Sequence, residues 1–345
     1  MPMNIVDLMF SHIALTKAVE KLFKPTSFIR DLFFKEEEFV DSNLVAWDYF
    51  VGTNNIPEPK PYGTEAHVVS RPGYETMSTK IPCTREKILL TTSDALRRVM
   101  GEGIFVKPGD ADEQRISRIL NKDLKNLLDR INRFQEYLCV LEFTEGKINI
   151  QTDDYSLKID FNIPEGNVLG TDVEWQSNTA KIWDDICKLA DTVADSSQTS
   201  MDSLIVGREA FACMMGNKNF REIYDNRRVD LGQIKPKSLP NGGVYMGNLV
   251  SSDMDLALYQ YRGSVTTYAG VEKNFIDPKK IYIGTEKNNN SFVWGRCSDL
   301  RAGDSKVFVK RWEDADPNGV WLLAESCSIP LLKQPSAFGR MTVVA

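Results

Sequence analysis

The stretch Asp110–Phe143, DADEQRISRILNKDLKNLLDRINRFQEYLCVLEF, decides the fold. Asp110, Asp112 and Glu113 follow Pro108-Gly109, and acidic side chains favour the positive end of a helix. Apolar residues then recur as Ile116, Leu120, Leu124, Leu127, Ile131, Phe134, Leu138 and Leu141, always three or four apart, which draws one apolar stripe along a helix. No Pro or Gly interrupts it before Gly146. At ~1.5 Å per residue the helix runs roughly 50 Å, longer than most globular helices. Arg115, Arg118, Lys122, Lys125, Arg130 and Arg133 flank the stripe and predict a solvated outer face. A two-stranded coiled coil uses the same stripe. The strand-like Lys147–Gln151 that follows at once favours a long helix laid across a sheet, hence an α+β class.

The composition excludes several classes. A chain of 345 residues buries a sizeable core, as two domains or one elaborated domain. With 42% hydrophobic and 26% charged residues it is neither disordered nor membrane-like, and no apolar run of about 18 residues exists to span a bilayer. The net charge of -6 argues against nucleic-acid binding through bulk charge. Asp7 and His12 interrupt any signal-peptide pattern. Cys83, Cys139, Cys187, Cys213, Cys297 and Cys327 are scattered without a CxxC, several within apolar patterns, and read as reduced, buried thiols of a cytosolic protein. His12 and His67 are the only histidines, which nearly removes Ser-His-Asp catalysis and His-rich metal sites.

Toward the N-terminus, residues 4–23 read as an amphipathic helix ended by Lys24-Pro25. Phe10, Phe23, Phe28, Phe33, Phe34, Phe39 and Trp47 load this terminal segment with aromatic surface. An arm that cannot bury such surface alone buries it elsewhere, against another subunit or on its own domain. Residues 52–82 carry Pro57, Pro59, Pro61, Pro72, Gly73 and Pro82. Between them, Thr64–Arg71 and Tyr74–Ile81 read as two strands joined by Pro72-Gly73, an extended ribbon that needs a neighbour to lie on. The β-branched and aromatic content argues against a disordered Pro-rich linker.

Toward the C-terminus, Lys147–Gln151 and Ser156–Ile163 read as strands joined at Asp153-Asp154, a turn and not a metal site, since no histidine or third carboxylate is near. Ala180–Ala194 and Arg208–Tyr224 read as helices around a short buried strand, Met201–Val206. No phosphate-loop motif is present, so Gly207 is not one. A polar stretch with Pro236, Pro240 and Gly242-Gly243 precedes strands at 256–261, 265–268, 280–284 and 292–295. Asp314, Asp316, Asn318, Gly319 and Glu325 satisfy the spacing of a calcium loop. The flanks Val307–Trp312 and Val320–Leu323 read as strands, however, so Asp316-Pro317-Asn318-Gly319 is a hairpin turn. Residues 320–345 are apolar, divided by Pro330 and Pro335, and should return to a core. No acid, base and nucleophile converge, so no catalytic, cofactor-binding or metal-ligating residue is assigned and no cofactor is expected.

These residues resemble a known family. Phe28-Ile29-Arg30 with Phe33-Phe34-Lys35-Glu36, Pro72-Gly73-Tyr74, Gly270–Phe275 with Pro278 and Ile283-Gly284-Thr285, and Ser328–Leu332 with Pro335 and Phe338 are similar, in order and spacing, to the major capsid proteins of lambda-like tailed bacteriophages, the capsid protein E family. The outer thirds carry the likeness; over residues 86–180 only the layout matches. The resemblance implies the HK97 capsid fold, with an N-terminal arm at 1–50, an E-loop at 51–90, a peripheral domain at 91–169 holding the spine helix 110–143, an axial domain at 170–300, and a return to the peripheral domain at 301–345.

It also implies a function: a non-enzymatic shell protein whose hexamers and pentamers close an icosahedral head around double-stranded DNA, held without sequence specificity. The implied partners are the protein itself, a portal protein, a decoration protein and a separate scaffolding protein, because only about twenty residues precede the arm motif near Phe23. The implied place is the virion capsid, assembled in the bacterial cytoplasm, with no membrane. Lys60 and Lys80 lie in the E-loop, but no Lys–Asn–Glu cross-linking set can be placed. An encapsulin-like compartment shell shares the fold, and an intracellular α+β enzyme is the alternative from another class.

Overall fold

In the computed structural model the apolar stripe forms one uninterrupted 35-residue helix, Ala111–Glu145. Gly146 ends it in the left-handed region (φ +67°), where its N–H donates to the Glu142 carbonyl at 2.9 Å. The structure describes residues 27–50, 74–91, 111–152, 155–226, 237–250, 254–267, 270–299, 301–315 and 318–344. The expected helix at 4–23, the strand at 64–71, Asp153-Asp154, Lys60 and both histidines lie outside them.

In chain order the elements are α1 (Phe28–Phe33), β1 (Glu36–Val40), β2 (Leu44–Phe50), β3 (Tyr74–Lys80), β4 (Cys83–Thr91), α2 (Ala111–Glu145), β5 (Lys147–Gln151), β6 (Ser156–Asp160) and β7 (Val168–Gly170). Next come α3 (Ile182–Ser197), β8 (Ser203–Val206), α4 (Arg208–Gly216), α5 (Lys218–Asn226), β9 (Lys237–Ser238), β10 (Gly243–Val250) and β11 (Asp255–Tyr261). The chain closes with β12 (Ser264–Thr266), β13 (Glu272–Asn274), β14 (Lys280–Gly284), β15 (Ser291–Gly295), β16 (Phe308–Ala315), β17 (Asn318–Leu331) and β18 (Phe338–Thr342).

Two sheets organise the molecule. A five-stranded sheet runs β1-β15-β17-β16, with β4 also paired to β17. A seven-stranded sheet runs β7-β18-β14-β8-β11-β10-β9. The second sheet is apolar on both faces, because alternate residues of a strand point to opposite sides. Leu204, Val206, Ile281, Ile283 and Met341 face a core shared with α3, α4 and α5, while Ile205, Tyr282 and Phe338 face the core beneath α2. The C-terminal half of α2 is therefore held between both sheets. Phe143 lies 5.7 Å from Phe338 and 5.7 Å from Tyr282, and residues 138–144 are all buried. The expected solvated outer face holds for Lys122, Lys125, Arg130 and Arg133 and ends there. Among the described residues no helix is long and apolar enough to cross a membrane.

Several expectations are corrected. The helix expected over 208–224 breaks at Asn217, whose side-chain oxygen accepts the Phe220 N–H at 3.2 Å and so caps a second helix. The Gly242-Gly243 stretch is not a separator: Gly243 opens β10, where a Cβ would stand 2.3 Å from the Phe28 ring, and Gly247 (φ +127°) marks a bulge against β11. Tyr74–Lys80 is a strand as expected, but its described partner is β2. Strand β15 joins the five-stranded sheet and β18 the seven-stranded one.

Pro330 does not divide the last segment; it lies within β17 opposite Phe292. N–H groups two residues apart point the same way, and on that side the Ser328 N–H meets the Pro82 carbonyl while the Leu332 N–H meets Glu142. Strand β4 begins only at Cys83, so no ladder bond is lost at Pro330. Finally, Cys83 and Cys327 are not reduced thiols but a disulfide, and Cys83 is exposed. They are register partners on β4 and β17, a pairing hidden by 244 residues of separation. Cys139 and Cys297 are buried thiols as expected, while Cys187 and Cys213 are only half-buried.

Candidate assembly surface

The residues around α1 show what holds the arm. Inside the second half of α2, Glu136 accepts the Ile29 N–H at 2.9 Å and the Arg30 N–H at 3.3 Å, both at the start of α1, where backbone donors lack helical partners. The Arg30 guanidinium donates to Gln135 at 3.2 Å and to Glu37 at 2.8 Å, and stacks 3.9 Å over the Phe292 ring. Phe28 packs against Tyr259 and Tyr261, and Phe33 stacks on Phe143 at 4.7 Å. Ser27–Phe34, except Asp31, is buried in the chain's own core. Of the two expectations for the arm, burial on its own domain holds for this stretch, because α1 fills the space between α2 and the two sheets.

Two buried carboxylates come with this clamp. Burial raises Glu136 above the usual carboxylate range, against the hydrogen bonds from Ile29 and Arg30 that lower it. Burial holds Glu142 well above that range; one oxygen accepts the Leu332 N–H at 2.6 Å and the other has no hydrogen-bond partner among the described residues. Reading α2 as a single stripe missed this clamp. The signal was available: Gln135 and Glu142 stand four residues after Ile131 and Leu138, on the apolar stripe itself.

Among the described residues three exposed features stand out. The β2–β3 ribbon pairs with no other strand among the described residues; Trp47 packs 5.8 Å from Phe161 at its base, while Leu44 is 51% exposed. One edge of the five-stranded sheet is β1, which pairs only with β15 among the described residues and carries exposed Glu36, Glu37 and Glu38. Lys306 and Lys333 pair with Glu37 and Glu38. The third feature is the tongue of β4, β16 and β17, where Trp312 stacks on Trp321 at 6.0 Å and Lys87 lies 4.3 Å over the Trp321 ring.

Of the calcium-loop spacing, Asp316 lies outside the described residues, and Asp314 and Glu325 stand far apart. Strands β16 and β17 form the expected hairpin, with Asp314 opposite Gly319 and accepting the Trp321 indole N–H at 3.2 Å. Glu325 lies six residues further along β17, roughly 20 Å away at ~3.3 Å per residue. It is buried and accepts the Ser298 N–H at 2.6 Å and the Ser298 hydroxyl at 2.9 Å. Lys80 is exposed at the end of β3. Gly207 is packed against the backbone of Asp277 and Pro278, where a Cβ would stand 2.3 Å from a carbonyl oxygen.

Comparison with known proteins agrees with this geometry. The family model described as phage major capsid protein E matches residues 12–343. A prophage protein of Escherichia coli CFT073 assigned as its capsid protein has a similar structure, with 20% sequence identity, a TM-score of 0.71 and 100% of each chain covered. A phage-related protein from Bordetella bronchiseptica RB50 has a TM-score of 0.52 with 12% identity over 95% of each chain. No curated protein matches the sequence. The fold is α+β and HK97-like, and the chain belongs to the phage major capsid protein E family.

Proposed function

We propose that this protein is the repeating subunit of an icosahedral phage head, assembling as hexamers and pentamers around double-stranded DNA. The observation that carries the reading is the β2–β3 ribbon in a member of a capsid family: two-stranded ribbons are marginal alone, and this one has no third strand among the described residues. A neighbouring subunit supplies the missing surface. The role is structural and not catalytic, and DNA is enclosed without base recognition, in keeping with the net charge of -6. In this reading the ribbon is the base of the E-loop and α2 the spine of the peripheral domain. The peripheral domain also takes β15, β16 and β17, and the axial domain takes the seven-stranded sheet including β18.

The partners of this reading are other copies of the chain, a portal protein, a decoration protein and a separate scaffolding protein, with assembly in the bacterial cytoplasm. One subunit must enter both five-fold and six-fold rings, so its contacts are bistable and curvature needs an outside template. Co-expression with the scaffolding protein of the same genome should narrow the shells seen by negative-stain microscopy to one size. Uniform closed shells from the chain alone contradict the scaffold; co-expression that yields no rings or shells contradicts the assembly reading.

A further inference from the structure

Three cysteines and a glutamate, drawn together from distant parts of the chain, have no role in the shell reading. On the β4–β17 ladder Cys83 stands opposite Cys327, and Arg85 opposite Glu325. Alternate residues of a strand share a face, so the two sulfurs and the carboxylate lie on one side of the ladder. Cys297, two residues past the end of β15, brings a third sulfur to that side. The Sγ atoms of Cys297 and Cys327 and a carboxylate oxygen of Glu325 all lie within 4.8 Å of one another. These three residues are buried, whereas Cys83, bonded to Cys327, is exposed.

We propose that Cys83, Cys297, Cys327 and Glu325 form a site for a soft divalent cation of the zinc class, open when the Cys83–Cys327 bond is reduced and closed when it is formed. Three sulfurs and one carboxylate oxygen are a donor set that favours zinc over the hard cations for which Glu325 had the sequence spacing. Tetrahedral zinc, with bonds of ~2.3 Å to sulfur and ~2.1 Å to oxygen, holds its ligand atoms roughly 3.6–3.8 Å apart. The Cys297, Cys327 and Glu325 donor atoms, within 4.8 Å of one another, need a contraction on the order of 1 Å, and Cys83 reaches them from the position opposite Cys327.

The surroundings suit a ligand carboxylate. The Ser298 N–H and hydroxyl hold the Glu325 oxygens, and the Arg85 Nε, 3.5 Å away, offsets negative charge. The Cys297 thiol donates to the Glu325 carbonyl, with sulfur and oxygen 3.7 Å apart. Exposed Cys83 provides the entry path. The chemistry balances: a phosphine reductant takes up oxygen from water and leaves two thiols in place of the disulfide. Each thiol that then binds the cation releases its proton to solvent. In the oxidised state a covalent bond ties β4 to β17; in the reduced state the metal ties both strands to the segment after β15.

Cobalt(II), which reports thiolate ligation by charge-transfer absorption, tests this on the full-length protein. Phosphine-reduced protein should develop the band to one equivalent per chain, and zinc should displace it. Cys297→Ser should weaken cobalt binding by about 10-fold or more, whereas Cys187→Ser on α3 should leave it unchanged. A second readout needs no variant: zinc should slow iodoacetamide labelling of Cys83, Cys297 and Cys327 relative to Cys187 and Cys213. No band in the reduced wild type, an undiminished cobalt affinity in Cys297→Ser, or an equal band in the oxidised protein overturns the proposal.

Discussion

At the residue scale, side chains of α1 and α2 meet inside one core. Phe33 is 1% exposed, stacked on Phe143 and edge-on to Phe338 at 5.3 Å. Phe33→Ala removes a ring from a site walled by two others and a helix, so the cavity cannot close. The expected cost is about 3–5 kcal/mol, read from denaturant unfolding of the subunit; a loss below 1 kcal/mol would show that α1 is only loosely held. Glu142 gives a second prediction at this scale. Burial disfavours its ionised form, so its folded pKa lies above the unfolded one. Below the unfolded value both states hold the proton and nothing is lost. As pH rises from there toward the folded value, the unfolded chain ionises first and the native state loses up to ~1.4 kcal/mol per pH unit. Glu142→Gln keeps an acceptor for the Leu332 N–H and cannot ionise. The stability gap between variant and wild type should therefore widen, in favour of the variant, as pH rises above the ordinary glutamate range; a gap independent of pH would place the Glu142 carboxyl in water.

At the element scale, the described part of the arm begins at Ser27. Residues 28–34 are core, so removal of residues 1–34 takes five buried apolar side chains (Phe28, Ile29, Leu32, Phe33 and Phe34) from the subunit and leaves Glu136 without its backbone donors. That truncation should not yield a soluble, cooperatively unfolding protein, whereas removal of residues 1–26 should. Circular dichroism melts of the two truncations decide it, and a soluble, cooperatively melting 1–34 truncation would contradict the clamp. The long helix, the β5–β6 and β16–β17 hairpins and the short buried strand β8 were legible in the sequence, because each is set by local periodicity and turn residues. The arm was not. A run such as Phe28–Phe34 announces that apolar surface must be buried but not on which chain, and the partner that holds it, Glu136, lies 107 residues from Ile29. Pro330 misled for a related reason: a proline stops a strand only where its N–H is needed, and that depends on where β4 begins.

At the scale of the whole molecule, one helix is shared by two sheets, and the two apolar faces of the seven-stranded sheet join both cores into one subunit. Its open elements are the ribbon, the charged edge β1 and the tryptophan-bearing tongue. The α+β, HK97-like fold was legible because the order of elements survives when sequence identity does not, as the 20% identity and TM-score of 0.71 to the Escherichia coli prophage protein illustrate. The disulfide and the thiol cluster around Glu325 were not legible, since register across β4 and β17 exists only after folding. The most direct measurement of the central claim is negative-stain electron microscopy of the purified full-length chain, at rising concentration and without partners. Capsomer rings, open spirals and shells of mixed size are the predicted result. A single small oligomer at every concentration, with no rings or curved sheets, would contradict it.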